Sequence, residues 1–122
     1  MGGRVLVIED EPNITAAINY ILSRDGWQVE THDRGSDALD RIRSIAPDLL
    51  ILDVMLPGRT GFEILQALRA DPQTVDLPVL MLTARGQTRD RDLADRYGAS
   101  RFIAKPFSNT DVLASVREMV GA

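Results

Sequence analysis

The chain has no cysteine. Disulfides and thiolate metal sites are therefore excluded, and a reducing cytoplasm is the simplest compartment. No apolar stretch reaches about 18 residues, so nothing in it crosses a membrane as a helix. No signal-peptide pattern opens it either, because Met1-Gly2-Gly3-Arg4 leads directly into a strand-like run. Basic residues are not in excess: the formal net charge is −4, which argues against this domain gripping nucleic acid by itself. Internal repeats, low-complexity tracts and linkers are also missing. The 122 residues, 44% hydrophobic and 26% charged, suit one compact domain over 1–122.

What is present is an alternation of two periodicities. Val5-Leu6-Val7-Ile8 is a continuous aliphatic run, as expected of a parallel strand covered on both faces. Pro12 suits the first turn of a helix, in which Ile14, Ala17, Ile18, Ile21 and Leu22 share a face, and Gly26 stops it. Trp27 to Thr31 alternates and is partly β-branched, which predicts a strand nearer a sheet edge. Ser36 or Asp37 can cap a second helix with Ala38, Leu39, Ile42 and Ile45 inward. Leu49-Leu50-Ile51-Leu52 is the most apolar strand and is expected at the centre.

Pro57, Gly58 and Gly61 form a loop before a third helix carrying Phe62, Ile64, Leu65 and Leu68 inward. Val79 to Leu82 is the fourth strand. A thinly apolar fourth helix is expected from Gln87 to Tyr97, anchored by Leu93, Ala94 and Tyr97. Arg101 to Ala104 is the fifth strand, and Asn109 is read as the cap of a last helix carrying Val112, Leu113, Val116 and Met119. Strand and helix alternating this way, with short loops, predict a doubly wound α/β fold around a five-stranded parallel sheet.

Ligands on such sheets bind beyond the carboxyl ends of the strands. Glu9, Asp10, Asp53, Thr83 and Lys105 all stand at such ends, so one crevice should collect them. Any one of them alone reads as a helix cap or a solvated loop residue; the joint pattern does not. Gathered carboxylates repel unless a cation joins them. A hard, oxygen-loving ion such as Mg²⁺ is the natural guest, and a phosphoryl group suits carboxylates, Mg²⁺ and a lysine together.

Four segments carry a family resemblance: Val7-Ile8-Glu9-Asp10-Glu11-Pro12, Leu52-Asp53-Val54-Met55-Leu56-Pro57-Gly58, Leu82-Thr83-Ala84-Arg85 and Ile103-Ala104-Lys105-Pro106-Phe107. In register from Arg4 to Val120, the chain resembles the receiver domain of two-component response regulators. The resemblance implies a flavodoxin-like (βα)5 sandwich. It implies Asp53 as phosphoacceptor, and Mg²⁺ (or Mn²⁺) bound by Asp10, Asp53 and the Met55 backbone carbonyl, with Glu9 acting through water. Thr83 and Lys105 would each meet a phosphoryl oxygen, and Lys105-Pro106 would be cis. Glu11 matches no ligand position and reads as helix-start charge.

Phe102 matches the family's aromatic switch position, although it also reads as a core phenylalanine. Many relatives carry tyrosine there, and phenylalanine lacks its hydroxyl contact. The implied partners are a histidine kinase or histidine phosphotransfer protein, and an output partner on the face of the fourth helix, fifth strand and last helix. Ser100-Arg101 stands where regulators with winged-helix output carry two acids used in dimer salt bridges, which leaves a homodimer along that face open. Arg89, Arg91, Arg96 and Arg101 make the region read as basic, either a solvated face or a surface for an acidic partner. Met55 and Arg85 flank the pocket at positions that influence phosphate loss in relatives. His32 reads as a surface residue away from the other ligands.

The expected function is thus a phosphorylation switch rather than an enzyme, either stand-alone or the N-terminal part of a longer regulator such as a transcription factor. The alternative is an aspartate-nucleophile, Mg²⁺-dependent phosphatase of the haloacid-dehalogenase type. That class places a second aspartate two residues after the nucleophile, where this chain has Met55. A flavin-binding electron carrier is excluded, because Glu9-Asp10-Glu11 would repel the flavin phosphate.

Overall fold

The computed structural model describes residues 3–84 and 88–120. Five strands, β1 (Arg4–Ile8), β2 (Gln28–His32), β3 (Leu49–Asp53), β4 (Val79–Ala84) and β5 (Arg101–Lys105), form one sheet in the order β2-β1-β3-β4-β5. Every pairing is parallel. The connecting helices are α1 (Pro12–Arg24), α2 (Ala38–Ile45), α3 (Gly61–Ala70), α4 (Thr88–Arg96) and α5 (Asn109–Met119).

Alternate side chains of a strand point to opposite faces, and the aliphatic runs therefore supply two cores. Leu6, Ile8, Leu50, Leu52, Val79 and Met81 pack against α2, α3 and α4, through Ile42, Ile64, Leu65, Leu68 and Ala94. Val5, Val7, Leu49, Ile51, Leu80 and Leu82 pack against α1 and α5, through Ile18, Leu22, Val112 and Val116. β3 is buried along its whole length at the middle of the sheet, whereas edge strand β2 is half-exposed. Among the described residues, no helix is long and apolar enough to cross a membrane.

Four local expectations are corrected. Ala17 is exposed on α1, because Ile14, Ile18, Ile21 and Leu22 already fill the narrow contact stripe. Trp27 precedes β2 instead of starting it, and its ring is buried in the α1/α5 core. The cap of α5 is Ser108, not Asn109. Its hydroxyl accepts from Asp111 N, and the Asp111 carboxylate accepts from Ser108 N, which satisfies two helix-start amides reciprocally. Asp37 occupies the N-cap of α2 but makes no side-chain cap bond there. Its carboxylate is taken by His32 instead. The predicted start of the fourth helix at Gln87 lies outside the described residues, as does Arg85.

Candidate phosphoacceptor and metal site

Register alone brings the acids together. Ile8 is level with Leu52, and Asp53 with Leu82. Glu9, one residue past β1, therefore comes level with Asp53 at the end of β3, and Thr83 lies one step further along β4. Ala84 is level with Lys105 on β5. The β1/β3 boundary, where the strand order reverses, is the natural crevice of such a sheet.

Glu9 and Asp53 are 1% and 2% exposed, and Asp10 is exposed beside them. Each of the three offers a carboxylate oxygen within 4.8 Å of the other two. The Lys105 ammonium bridges the two buried acids, 2.8 Å from Glu9 Oε1 and 3.0 Å from Asp53 Oδ1. Glu9 is also held by its other oxygen, which accepts from Glu11 N at 3.1 Å. Three carboxylates against one ammonium leave the cluster short of positive charge. Burial pushes the Glu9 carboxyl up to about 7, and neighbouring Asp53 adds to this against the opposing bonds from Lys105 and Glu11 N. For Lys105, burial acts downward, but the bonds to Glu9 and Asp53 outweigh it and raise the ammonium above its ordinary value.

The donor set is all oxygen and mostly anionic, with no thiolate or imidazole among the three. That chemistry fits Mg²⁺, or Mn²⁺, and not a soft metal. Lys105 already serves these carboxylates as a cationic counterpart. Met55 lies in the β3–α3 loop with its side chain exposed. Thr83 is fully buried, and its hydroxyl donates to the Ile103 carbonyl at 3.3 Å. Lys105-Pro106 is cis. A groove opens onto Asp53 and Lys105 between Asn13, Ile14 and Ala17 of α1 and the Pro106-Phe107 turn.

Two residues that the sequence set aside belong to this neighbourhood. Glu11 caps no amide of α1; its carboxylate reaches to 3.6 Å from Lys105, a fourth acid at the rim. Its adjacency to Glu9 and Asp10 was the available signal. His32 is not a free surface residue: its side chain is only 12% exposed and lies 2.6 Å from Asp37, while its carbonyl accepts from Glu9 N at 3.0 Å. Only the fold of the β2–α2 loop makes that contact, so the sequence carried no sign of it.

On the face of α4, β5 and α5, Phe102 is half-buried against the α2/α3/α4 core, with the Arg91 guanidinium 5.0 Å from its ring centre. The region is less basic than its arginines suggested. Arg89, Arg91 and Arg96 of α4 are interleaved with Asp90, Asp92 and Asp95, and Arg101 pairs with Glu118 of α5.

Comparison with known proteins agrees with the fold. A family model described as the response regulator receiver domain matches residues 5–117. The phosphate regulon transcriptional regulatory protein PhoB of Rhizobium meliloti (strain 1021) is 41% identical over 117 residues, covering 96% of this chain and 52% of that protein. The transcriptional regulatory protein CreB of Escherichia coli (strain K12) is 43% identical over 116 residues, covering 95% and 50%. The chain thus spans about half the length of these curated relatives. Among solved structures, chemotaxis response regulator CheY4 of Vibrio cholerae superposes with a TM-score of 0.90 at 29% identity, covering 98% and 99%. The BeF3-activated N-terminal receiver domain of Klebsiella pneumoniae RstA gives 0.88 at 29% identity, with the same coverage.

Proposed function

The chain belongs to the response regulator receiver domain family, and from that premise we propose that residues 1–122 form one phosphorylation switch whose acceptor is Asp53. One observation carries this reading: the buried Asp53 carboxylate ends the central strand, shares a cluster with Glu9 and Asp10, and lies 3.0 Å from Lys105 at the mouth of a groove. The donor is a histidine kinase or a histidine phosphotransfer protein, with small acyl phosphates as substitutes. The apolar walls of the groove, Ile14, Ala17 and Phe107, suit a protein surface presenting phosphohistidine.

An Asp53 oxygen bonds to phosphorus as the donor's N–P bond breaks. The bonding pair leaves with the imidazole, and an acyl phosphate remains. Asp10, Asp53 and the Met55 carbonyl are the proposed ligands of Mg²⁺, with Glu9 acting through water. When bound, the ion offsets the charge of the acids and of the phosphoryl oxygens. Lys105 turns from Glu9 and Asp53 to one phosphoryl oxygen, and Thr83 exchanges its bond to Ile103 for another. Such positioning and charge neutralisation are most of what phosphoryl transfer requires.

Movement of Thr83 frees space beside β5, and Phe102 is the proposed side chain that responds. The α4–β5–α5 face then changes its affinity for an output partner, either a domain of the same polypeptide or a separate protein, with a homodimer as one form. Phosphate need favour the active arrangement by only a few kcal/mol to act as a switch. The setting is cytoplasmic. A phosphatase reading finds no support at the site, because the position for its general acid holds Met55, whose thioether cannot deliver a proton.

Incubation with acetyl phosphate and Mg²⁺ tests the assignment. The intact chain is expected to become labelled and Asp53→Asn to stay unlabelled. Labelling that persists in the variant overturns it.

A further inference from the structure

The loop that follows Asp53 is held in place by a second loop, the one between β2 and α2. Between β3 and α3, Pro57 O accepts from Gly35 N at 2.9 Å. Gly35 has no room for a side chain: an added Cβ would collide with the Arg59 carbonyl. Gly58 adopts a left-handed φ of 84°, and a Cβ there would sit 3.0 Å from Ser36 Cβ. The β2–α2 loop and the β3–α3 loop therefore meet backbone to backbone, at a separation that only glycine permits.

The β2–α2 loop is itself fastened at both ends. At its start, the His32 carbonyl accepts from Glu9 N, and the His32 ring lies 2.6 Å from the Asp37 carboxylate. At its end, Gly35 O accepts from Ala38 N, the first residue of α2. Asp37 gives up the usual N-cap bond of its own helix to make the His32 contact. A helix start forgoing its cap, together with a glycine-only contact onto the phosphoacceptor loop, indicates a fixed loop position.

We propose that His32, Asp37 and Gly35 are positioning residues, which set how strongly the site takes up Mg²⁺ by fixing the loop that presents the Met55 carbonyl. The inference rests on the reading of that carbonyl as a ligand. Groups that orient metal ligands without touching the metal govern its affinity by about 10–100-fold in other sites. Here the constraint passes through one further contact, so the lower end applies.

The test is a calorimetric Mg²⁺ titration of the full chain beside the Mg²⁺ dependence of its acetyl phosphate labelling, for wild type, Asp37→Asn, Asp37→Ala and Gly35→Ala, with thermal unfolding of each. Asp37→Asn removes the charge but keeps an acceptor for the His32 ring, so it should titrate like wild type. Asp37→Ala and Gly35→Ala should raise the half-saturating Mg²⁺ concentration about tenfold while leaving the rate at saturating Mg²⁺ unchanged. A purely structural defect would lower the labelled fraction without moving the half-saturation point. The proposal is overturned if both Asp37→Ala and Gly35→Ala titrate like wild type. It is equally overturned if Asp37→Asn loses as much as Asp37→Ala, since the effect is then one of charge. Should Gly35→Ala fail to fold, the Asp37 pair decides alone. Failure of wild type to label at all would count against the phosphoacceptor reading itself, and is a distinct result.

Discussion

The Lys105 ammonium lies 3.0 Å from Asp53 Oδ1, so the proposed nucleophile and the proposed phosphoryl ligand already face each other across the ends of β3 and β5. Lys105 also lies 2.8 Å from Glu9. It therefore offsets part of the charge of these two acids, and competes with an incoming cation for them.

Lys105→Met separates these two roles. Loss of a preorganised cationic donor should slow labelling of Asp53 by about 10²-fold. Loss of the competing ammonium should leave Mg²⁺ affinity equal to or tighter than wild type. Parallel weakening of Mg²⁺ binding and labelling, measured by Mg²⁺ titration and acetyl phosphate labelling, would contradict the assignment.

Glu9 predicts a pH dependence in the ion-free protein. Its carboxyl is raised from 4.5 to about 7 in the folded state, chiefly by burial. A group raised above its unfolded value stabilises the fold fully below that unfolded value, and the contribution disappears as pH rises through the folded value. In EDTA, stability should thus fall between about pH 4.5 and about pH 7, by up to about 3 kcal/mol. Glu9→Gln should flatten that slope in urea unfolding. Identical slopes for the two proteins would remove Glu9 as the cause.

Ser108→Ala deletes half of the reciprocal cap on α5 and should cost about 1 kcal/mol of stability. Asn109→Ala, one residue later, should cost much less. Chemical denaturation of both variants decides which residue is the cap.

Glu9, Asp10, Asp53, Thr83 and Lys105 were legible because they stand at the ends of aliphatic runs, and parallel strands deliver their ends to one edge. Glu11 was not, because it reads equally well as helix-start charge. The central place of β3 was legible too, since Leu49 to Leu52 admit no solvent-facing side. What escaped notice depends on side-chain choices between neighbours. Ser108 and Asn109 are both good N-caps, and only Asp111, three residues beyond Ser108, distinguished them. Ala17 is small and apolar enough to sit on either side of α1. His32 and Asp37 are joined through a loop whose path depends on Gly35 resting against Pro57, a tertiary contact that no local pattern encodes.

For the switch, phosphorylation should move the amide signals of Phe102 and of α4, since the Thr83 hydroxyl now donates to Ile103, the residue next to Phe102. An NMR comparison of the free and phosphorylated chain reads this directly. Unchanged signals there would dissociate Phe102 from the acceptor site.

The most direct measurement is a crystal structure of the chain soaked with Mn²⁺, with the ion located by its anomalous scattering. The account predicts a single strong site bonded to the carboxylates of Asp10 and Asp53 and to the Met55 carbonyl, with Glu9 linked through water and Lys105 displaced from at least one acid. An ion bound elsewhere, with Glu9 and Asp53 still bridged by Lys105 at saturating Mn²⁺, would contradict it.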